Sequence, residues 1–190
     1  MSEENITPEA VEQEALTETE INEQMQFRLN KMVQLSEKGL EPFGRRFDWT
    51  HHAEDVIDDF ENLFPQETVV RLAGRAMAIR GHGKTTFLDL HDKTGRIQLY
   101  VRKDAIGEEN YATIKLMDIG DIIGVAGTVF RTHMGEISIK AAELTILSKA
   151  LRPLPEKWHG LKDIETRYRQ RYVDLIVNPD VRKAFLQRSR

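Results

Sequence analysis

The sequence contains no cysteine, which excludes disulfides, thiolate nucleophiles and cysteine-ligated metals and fits a reducing compartment. It also has no apolar run approaching the ~20 residues a membrane-spanning helix needs. Its first residues, MSEENITPEA, lack the basic segment and apolar stretch of a secretory signal. A cytoplasmic protein with no membrane partner is the expectation. Residues 1–20 hold seven glutamates and no Lys or Arg. Polar, acidic and with little to bury, they are expected to form a disordered leader.

That leader conceals the charge of the remaining chain. The net charge is −4 overall, but the leader alone supplies −7, leaving 27 basic against 24 acidic residues, a net +3. Residues 71–103 carry eight Lys or Arg against two Asp. Such a local excess is what a phosphate-facing surface would show, although an ordinary solvated sheet face would show it too. With 190 residues and 40% hydrophobic content, the chain has room for one substantial core with appendages, or for two very small domains.

Beyond the leader there are two regimes of periodicity. Over 21–66 the period is helical. Ile21, Met25, Leu29 and Met32 recur at helix spacing and Gly39 stands where a C-cap would fall; Thr50 is a plausible N-cap for a second helix with Ala53, Val56, Phe60 and Leu63 on one face, ended by Pro65. From 67 to 149 the period is two, with strands expected at 68–80, 84–91, 95–103, 121–131 and 135–147 and one helix at 108–117. Three strands, a helix and two strands is the order of an OB-fold, a five-stranded Greek-key barrel whose second and third strands commonly face nucleic acid. The fold class expected is therefore α+β, mainly β, with an N-terminal helical extension and a C-terminal hinge and helix. Gly74, Gly124 and Gly127 fall inside strands, where a tight barrel must bend.

Alternation assigns the faces of strands two and three. With Lys93-Thr94 as a two-residue turn, Leu88 opposes Leu99 and Leu90 opposes Ile97 on a buried face; Phe87 opposes Tyr100, Asp89 opposes Gln98 and His91 opposes Arg96 on the other. A one-residue slip would mix the two sets, so the register is well specified. Phe87 and Tyr100 thus stand on a polar face, where an aromatic ring offers an unstacked base a platform, unless Phe87 packs beneath the N-terminal helices. Gln98 has the donor and acceptor to read a base edge. Arg80, at the end of strand one, can stack on a base or hold a phosphate. Around the turn between strands four and five, with Met134-Gly135 at its tip, Arg131, His133 and Glu136 are secondary candidates, because this loop of an OB-fold often lines the groove.

Three tempting motifs carry no chemistry. Gly81-His82-Gly83-Lys84-Thr85 contains Gly-Lys-Thr, but the glycine a P-loop needs five positions before Gly83 is Ala78, and a strand rather than a helix comes next. A hairpin that brings His82 and Lys84 near RNA phosphates is the better reading. The six histidines show no metal spacing. Asp89 and Asp92 form no acid–base pair, for want of a third group; Asp92 suits the hairpin turn.

Residues 151–177, LRPLPEKWHGLKDIETRYRQRYVDLIV, resemble the hinge of class II lysyl-tRNA synthetases through Arg152-Pro153-Leu154-Pro155-Glu156-Lys157, His159-Gly160-Leu161 and Arg167-Tyr168-Arg169-Gln170-Arg171-Tyr172. Gly39-Leu40-Glu41-Pro42-Phe43 with Arg45-Arg46-Phe47, and Tyr100-Val101-Arg102-Lys103-Asp104, are similar to that family as well. The series Gly74, Arg80, Phe87, Asp89, Asp92, Gly95 and Gln98 resembles the anticodon barrel shared by the lysyl, aspartyl and asparaginyl enzymes. The resemblance implies that Phe87 stacks on the central anticodon uridine while Arg80 and Gln98 hydrogen-bond it. It implies a tRNA(Lys) anticodon loop, not DNA, as partner, a homodimeric parent of bacterial type, and ATP with Mg²⁺ in that parent. It also implies a hinge over 150–178 and the beginning of the catalytic domain's first motif at 179–190, with motifs 2 and 3 beyond Arg190. This chain alone is then expected to bind no cofactor or metal and to catalyse nothing. A single-strand-binding OB protein without tRNA specificity, an aspartyl- or asparaginyl-type domain, and a protein-interaction OB module are the competing readings.

Overall fold

The structure, a computed structural model, describes residues 8–44, 46–155 and 164–189, with side chains from Glu20 onward except that of Thr166. Arg45 and the Glu156-to-Leu161 part of the hinge motif lie outside the described residues. The chain divides into two compact units, Met1–Arg152 and Pro153–Arg190.

The first unit opens with α1 (Pro8–Glu37). This helix starts well before Ile21 and takes in most of the acidic stretch expected to be disordered. Glu, Gln and Ala are good helix formers, and a proline is tolerated in the first turn, where its missing N–H has no partner to lose. Gly39 ends it as expected, at φ +72°. Leu40 N–H reaches Leu35 O at 3.0 Å and Gly39 N–H reaches Ser36 O at 2.9 Å, the paired bonds of a Schellman cap. Next come two short helices, α2 (Ala53–Asp58) and α3 (Phe60–Leu63). The N-cap of α2 is His52 rather than Thr50, whose hydroxyl instead accepts the Arg71 N–H at 2.9 Å. Ala53, Val56, Phe60 and Leu63 are all buried.

The strands are β1 (Val69–His82), β2 (Thr85–His91), β3 (Arg96–Arg102), β4 (Ile122–Arg131) and β5 (Ile137–Ser148). They close into a barrel in the order β1-β2-β3-β5-β4, with β4 returning to β1. Every pairing is antiparallel except β3 with β5. This is the OB-fold arrangement. The β2–β3 register is the one alternation requires, with Phe87 against Tyr100, Leu88 against Leu99 and Asp89 against Gln98. The inner rows, including Leu72, Leu88, Leu90, Leu99, Val101, Ile123, Val125 and Ile139, are wholly buried. Each such side chain is worth ~1.5–3 kcal/mol relative to exposure.

Between β3 and β4 the expected single helix is two, α4 (Lys103–Ile106) and α5 (Glu108–Ile114), separated by Gly107 at φ +84°. Ile106, Tyr111 and Ile114 join the core, and the Tyr111 hydroxyl meets Thr86 Oγ1 at 3.0 Å.

A buried ionic cluster ties α1 to the barrel. Lys149 Nζ, with no exposure, donates to Asp121 Oδ2 at 2.8 Å, Asp118 Oδ2 at 2.7 Å and Leu116 O at 2.8 Å. Lys31 of α1 reaches Asp118 at 2.6 Å, and Arg28 of α1 donates to Ala150 O at 2.7 Å. Burial alone would raise the Asp118 pKa, but hydrogen bonds and charge from Lys149 and Lys31 bring it below the usual value.

The second unit contains α6 (Ile164–Arg169), α7 (Arg171–Val177) and α8 (Pro179–Arg188). The buried Asp174 organises it, accepting from Arg167 Nε at 3.1 Å, Asn178 Nδ2 at 2.6 Å and Arg171. Among the described residues no helix is long and apolar enough to cross a membrane.

Candidate nucleic-acid interface

The outer face of β1, β2, β3 and β5 gathers five of the sequence-derived candidates, and a bulge decides its composition. In β1 the residues at even positions, Val70, Leu72 and Ala76, point into the barrel, so Arg80 would point inward by simple alternation. The β1–β2 register shifts between Ala76 and Ala78, leaving Met77 as an extra residue. Beyond it, Ile79 pairs with Leu88 and Arg80 with Phe87. The phase has inverted, and Arg80 emerges on the outer face.

There, Phe87 and Tyr100 are half-buried, their ring centroids 5.1 Å apart at 47°. Phe87 therefore shares the outer face with Tyr100 instead of joining the core. Phe130 of β4 continues the aromatic row, its centroid 5.5 Å from that of Tyr100.

Gln98 is fixed from two sides. Its Nε2 donates to Glu136 Oε2 at 3.0 Å and its Oε1 accepts from Ser138 Oγ at 3.1 Å. A primary amide has two N–H groups and two carbonyl lone pairs, so one of each remains for a ligand while the amide plane is held. Glu136 also accepts from Arg96 Nη2 at 3.1 Å. Arg80 Nη2 lies 2.8 Å from Asp89 Oδ1.

The other candidates lie apart. His82 and Lys84 are exposed at the β1–β2 hairpin turn, and Gly83 at φ +59° makes that turn, so the Gly-Lys-Thr sequence is a hairpin and not a phosphate loop. Arg131 turns toward α3, 3.5 Å from Glu61 and 4.8 Å above the Phe60 ring. His133 is exposed in the β4–β5 turn. Among the described residues, no hydrogen bond or ion pair joins these four to the Gln98 group.

Asp92 anchors the β2–β3 turn. Its Oδ1 accepts from Thr94 N, Thr94 Oγ1 and Gly95 N at 2.8–2.9 Å, and its Oδ2 accepts from Ala53 N at 2.8 Å, capping α2. Burial pushes its pKa up, yet the bonds from Gly95, Ala53 and Thr94 win and lower it. His52 lies 3.4 Å from Asp92 and stacks near Trp49. Among the described residues, no three His, Cys, Asp or Glu are grouped to hold a metal ion.

Sequence reasoning placed Arg96 on this face without giving it a role, and missed Ser138 and Phe130. Ser138 and Phe130 fall into place once β5 is laid parallel to β3, which pairs Gln98 with Ser138, and antiparallel to β4, which pairs Ser138 with Phe130.

The closed five-stranded barrel, with aromatic rings and an oriented amide on one outer face, is an OB-fold, and its residues 70–147 match the family model described as an OB-fold nucleic acid binding domain. Beyond the barrel, the chain is similar to lysine–tRNA ligases. It is 55% identical over 169 residues to that of Moorella thermoacetica, covering 89% of this chain and 34% of the relative. It is 50% identical over 183 residues to that of Bacillus subtilis, covering 94% and 37%. A third, from Carboxydothermus hydrogenoformans, is 52% identical over 171 residues, covering 90% and 35%. The chain spans about a third of the length of these curated relatives, and the match falls on their N-terminal part.

Proposed function

We propose that this chain reads the anticodon of a lysine-accepting tRNA for a bacterial-type lysine–tRNA ligase. One observation carries the reading: Phe87, half-exposed, stands on one face with Arg80 and with a Gln98 whose amide plane is held at both ends. The central uridine stacks on Phe87. Arg80 and the free N–H and lone pair of Gln98 meet its polar edge, and Tyr100 and Glu136 border the site. His82, Lys84, Arg131 and His133 contribute secondary contacts to the RNA backbone or to flanking bases. Lysine attachment, with the ATP and Mg²⁺ it uses, belongs to a catalytic part of the parent outside these 190 residues. The parent acts as a homodimer in the cytoplasm, and this chain alone does not aminoacylate.

The test is binding of the chain to a lysine-anticodon stem-loop, beside one whose middle U is changed to C, at fixed salt. A preference for the U-bearing loop is expected, with Phe87→Ala losing ~1–3 kcal/mol of affinity for it. Equal binding of both loops, indifferent to Phe87, would leave a single-strand binder without anticodon preference. No binding at all would leave a protein-interaction barrel.

A further inference from the structure

We propose that Asp89 is a positioning residue for this face: a buried carboxylate that holds the Arg80 guanidinium where a base edge meets it, without itself touching RNA. The inference rests on the anticodon reading of the same face.

Asp89 is out of character with its surroundings. Its side chain is 7% exposed, whereas those of Arg80 and Arg96 are 57% and 56% exposed. It sits at the centre of the face, paired with Ala78 in β1 and with Gln98 in β3. Arg80 is two residues beyond Ala78 and Arg96 two residues before Gln98, so both guanidinium groups lie on diagonals from Asp89, within reach of long side chains. Oδ1 takes the Arg80 bond at 2.8 Å, and Oδ2 is 3.9 Å from Arg96 Nη1. Arg96 passes the connection to Glu136, and Glu136 to Gln98. Arg80, Asp89, Arg96, Glu136 and Gln98 thus form one polar chain across the outer face. Asp89 is its sole deeply buried member, and the one whose removal frees Arg80.

Electrostatics gives this role a distinctive sign. An anion on a surface that receives phosphates weakens every RNA equally, so a carboxylate of no further consequence should bind RNA better once neutralised. A positioning carboxylate does the opposite for the matched RNA, because the unrestrained arginine no longer meets the base in a fixed geometry.

The experiment uses the 190-residue chain and the two stem-loops, differing at the middle base, with wild type, Asp89→Asn, Arg80→Ala and the double variant. Asp89→Asn is expected to cut the U-over-C preference about tenfold, the size expected of one charge-assisted hydrogen bond, while binding of the C loop is unchanged or tighter. The double variant should discriminate no worse than Arg80→Ala alone, since the two residues act as one unit. Asp89→Asn that keeps the full preference, or a double variant whose losses add, overturns the role while leaving the anticodon reading intact. A wild type without preference overturns both. Should Asp89→Asn fail to fold by circular dichroism, the Arg80 guanidinium in the free wild-type chain is read by NMR. Slow rotation about its Nε–Cζ bond supports the restraint, and free rotation refutes it.

Discussion

Lys149 keeps its ammonium group where water does not reach, and that is tolerable because all three of its protons have acceptors. The arrangement is fragile. Lys149→Met would take from Asp121, also without exposure, the cation that ion-pairs with it, leaving it only the more distant charge of Arg75, and breaking a buried pair from one side costs ~3–5 kcal/mol. Urea unfolding should show a loss of that order. Gly127 is equally constrained, for a different reason. A Cβ there would stand 2.1 Å from the carbonyl oxygen of Lys140, a backbone atom that cannot step aside, at the place where the β4–β5 register shifts. Gly127→Ala should therefore cost at least ~1–3 kcal/mol, as overpacking does, measured by the same unfolding curve. Gly39 differs: nothing lies within 4 Å of its hypothetical Cβ, and its requirement is purely the left-handed φ that closes α1.

At the scale of elements, the bulge at Met77 governs which way Arg80 faces. Deleting Met77 would restore strict alternation through β1 and drive the Arg80 side chain toward Leu88 and Leu99 or force β2 to slip. A Met77-deleted chain should melt well below wild type and lose stem-loop binding, whereas Met77→Leu, which keeps the residue count, should retain both within ~1.5 kcal/mol. This bulge also marks the limit of what the sequence discloses. The β2–β3 hairpin, its turn and its buried face were legible because period-two alternation on both strands admits a single register, and Lys93-Thr94 sets it. Phe87, Tyr100 and Gln98 could be placed on one outer face for the same reason. An extra residue in β1 leaves no such trace, since Ala76, Met77 and Ala78 are all small or apolar and fit either phase. The start of α1 escaped notice because the acidic composition argues for disorder while the helix propensity of the same residues argues the other way. The Lys31, Asp118, Asp121 and Lys149 cluster joins residues 28 to 87 positions apart, a distance over which no local pattern speaks.

Across the whole molecule, acid should be the destabilising direction. Asp118 and Asp92 both have pKa values below the usual carboxylate range in the folded state. The unfolded chain then binds protons at a higher pH than the folded chain does, so the stabilisation is complete above the unfolded value and is lost as pH falls through the lowered ones. The melting temperature should hold steady from neutrality to about pH 5 and fall steeply below about pH 4. A Lys149→Met chain should show a shallower decline, because Asp118 has lost one of the cations that lower it. Asp174 contributes in the same direction within the second unit, where hydrogen bonds from Asn178 and Arg167 overcome the effect of its burial.

The closure of β3 on β5 has a consequence in time. Gln98 gets its two clamps from residues 38 and 40 positions later in the chain, and the strand that supplies Ser138 is the last of the barrel. During synthesis the β2–β3 hairpin leaves the ribosome ahead of Glu136 and Ser138. A nascent chain that has emerged through β4 displays Phe87 and Tyr100 but an unclamped Gln98. Non-local pairing of this kind is also the slow part of barrel folding. On the anticodon reading proposed above, selective recognition would wait for barrel closure, when Gln98 acquires both of its clamps.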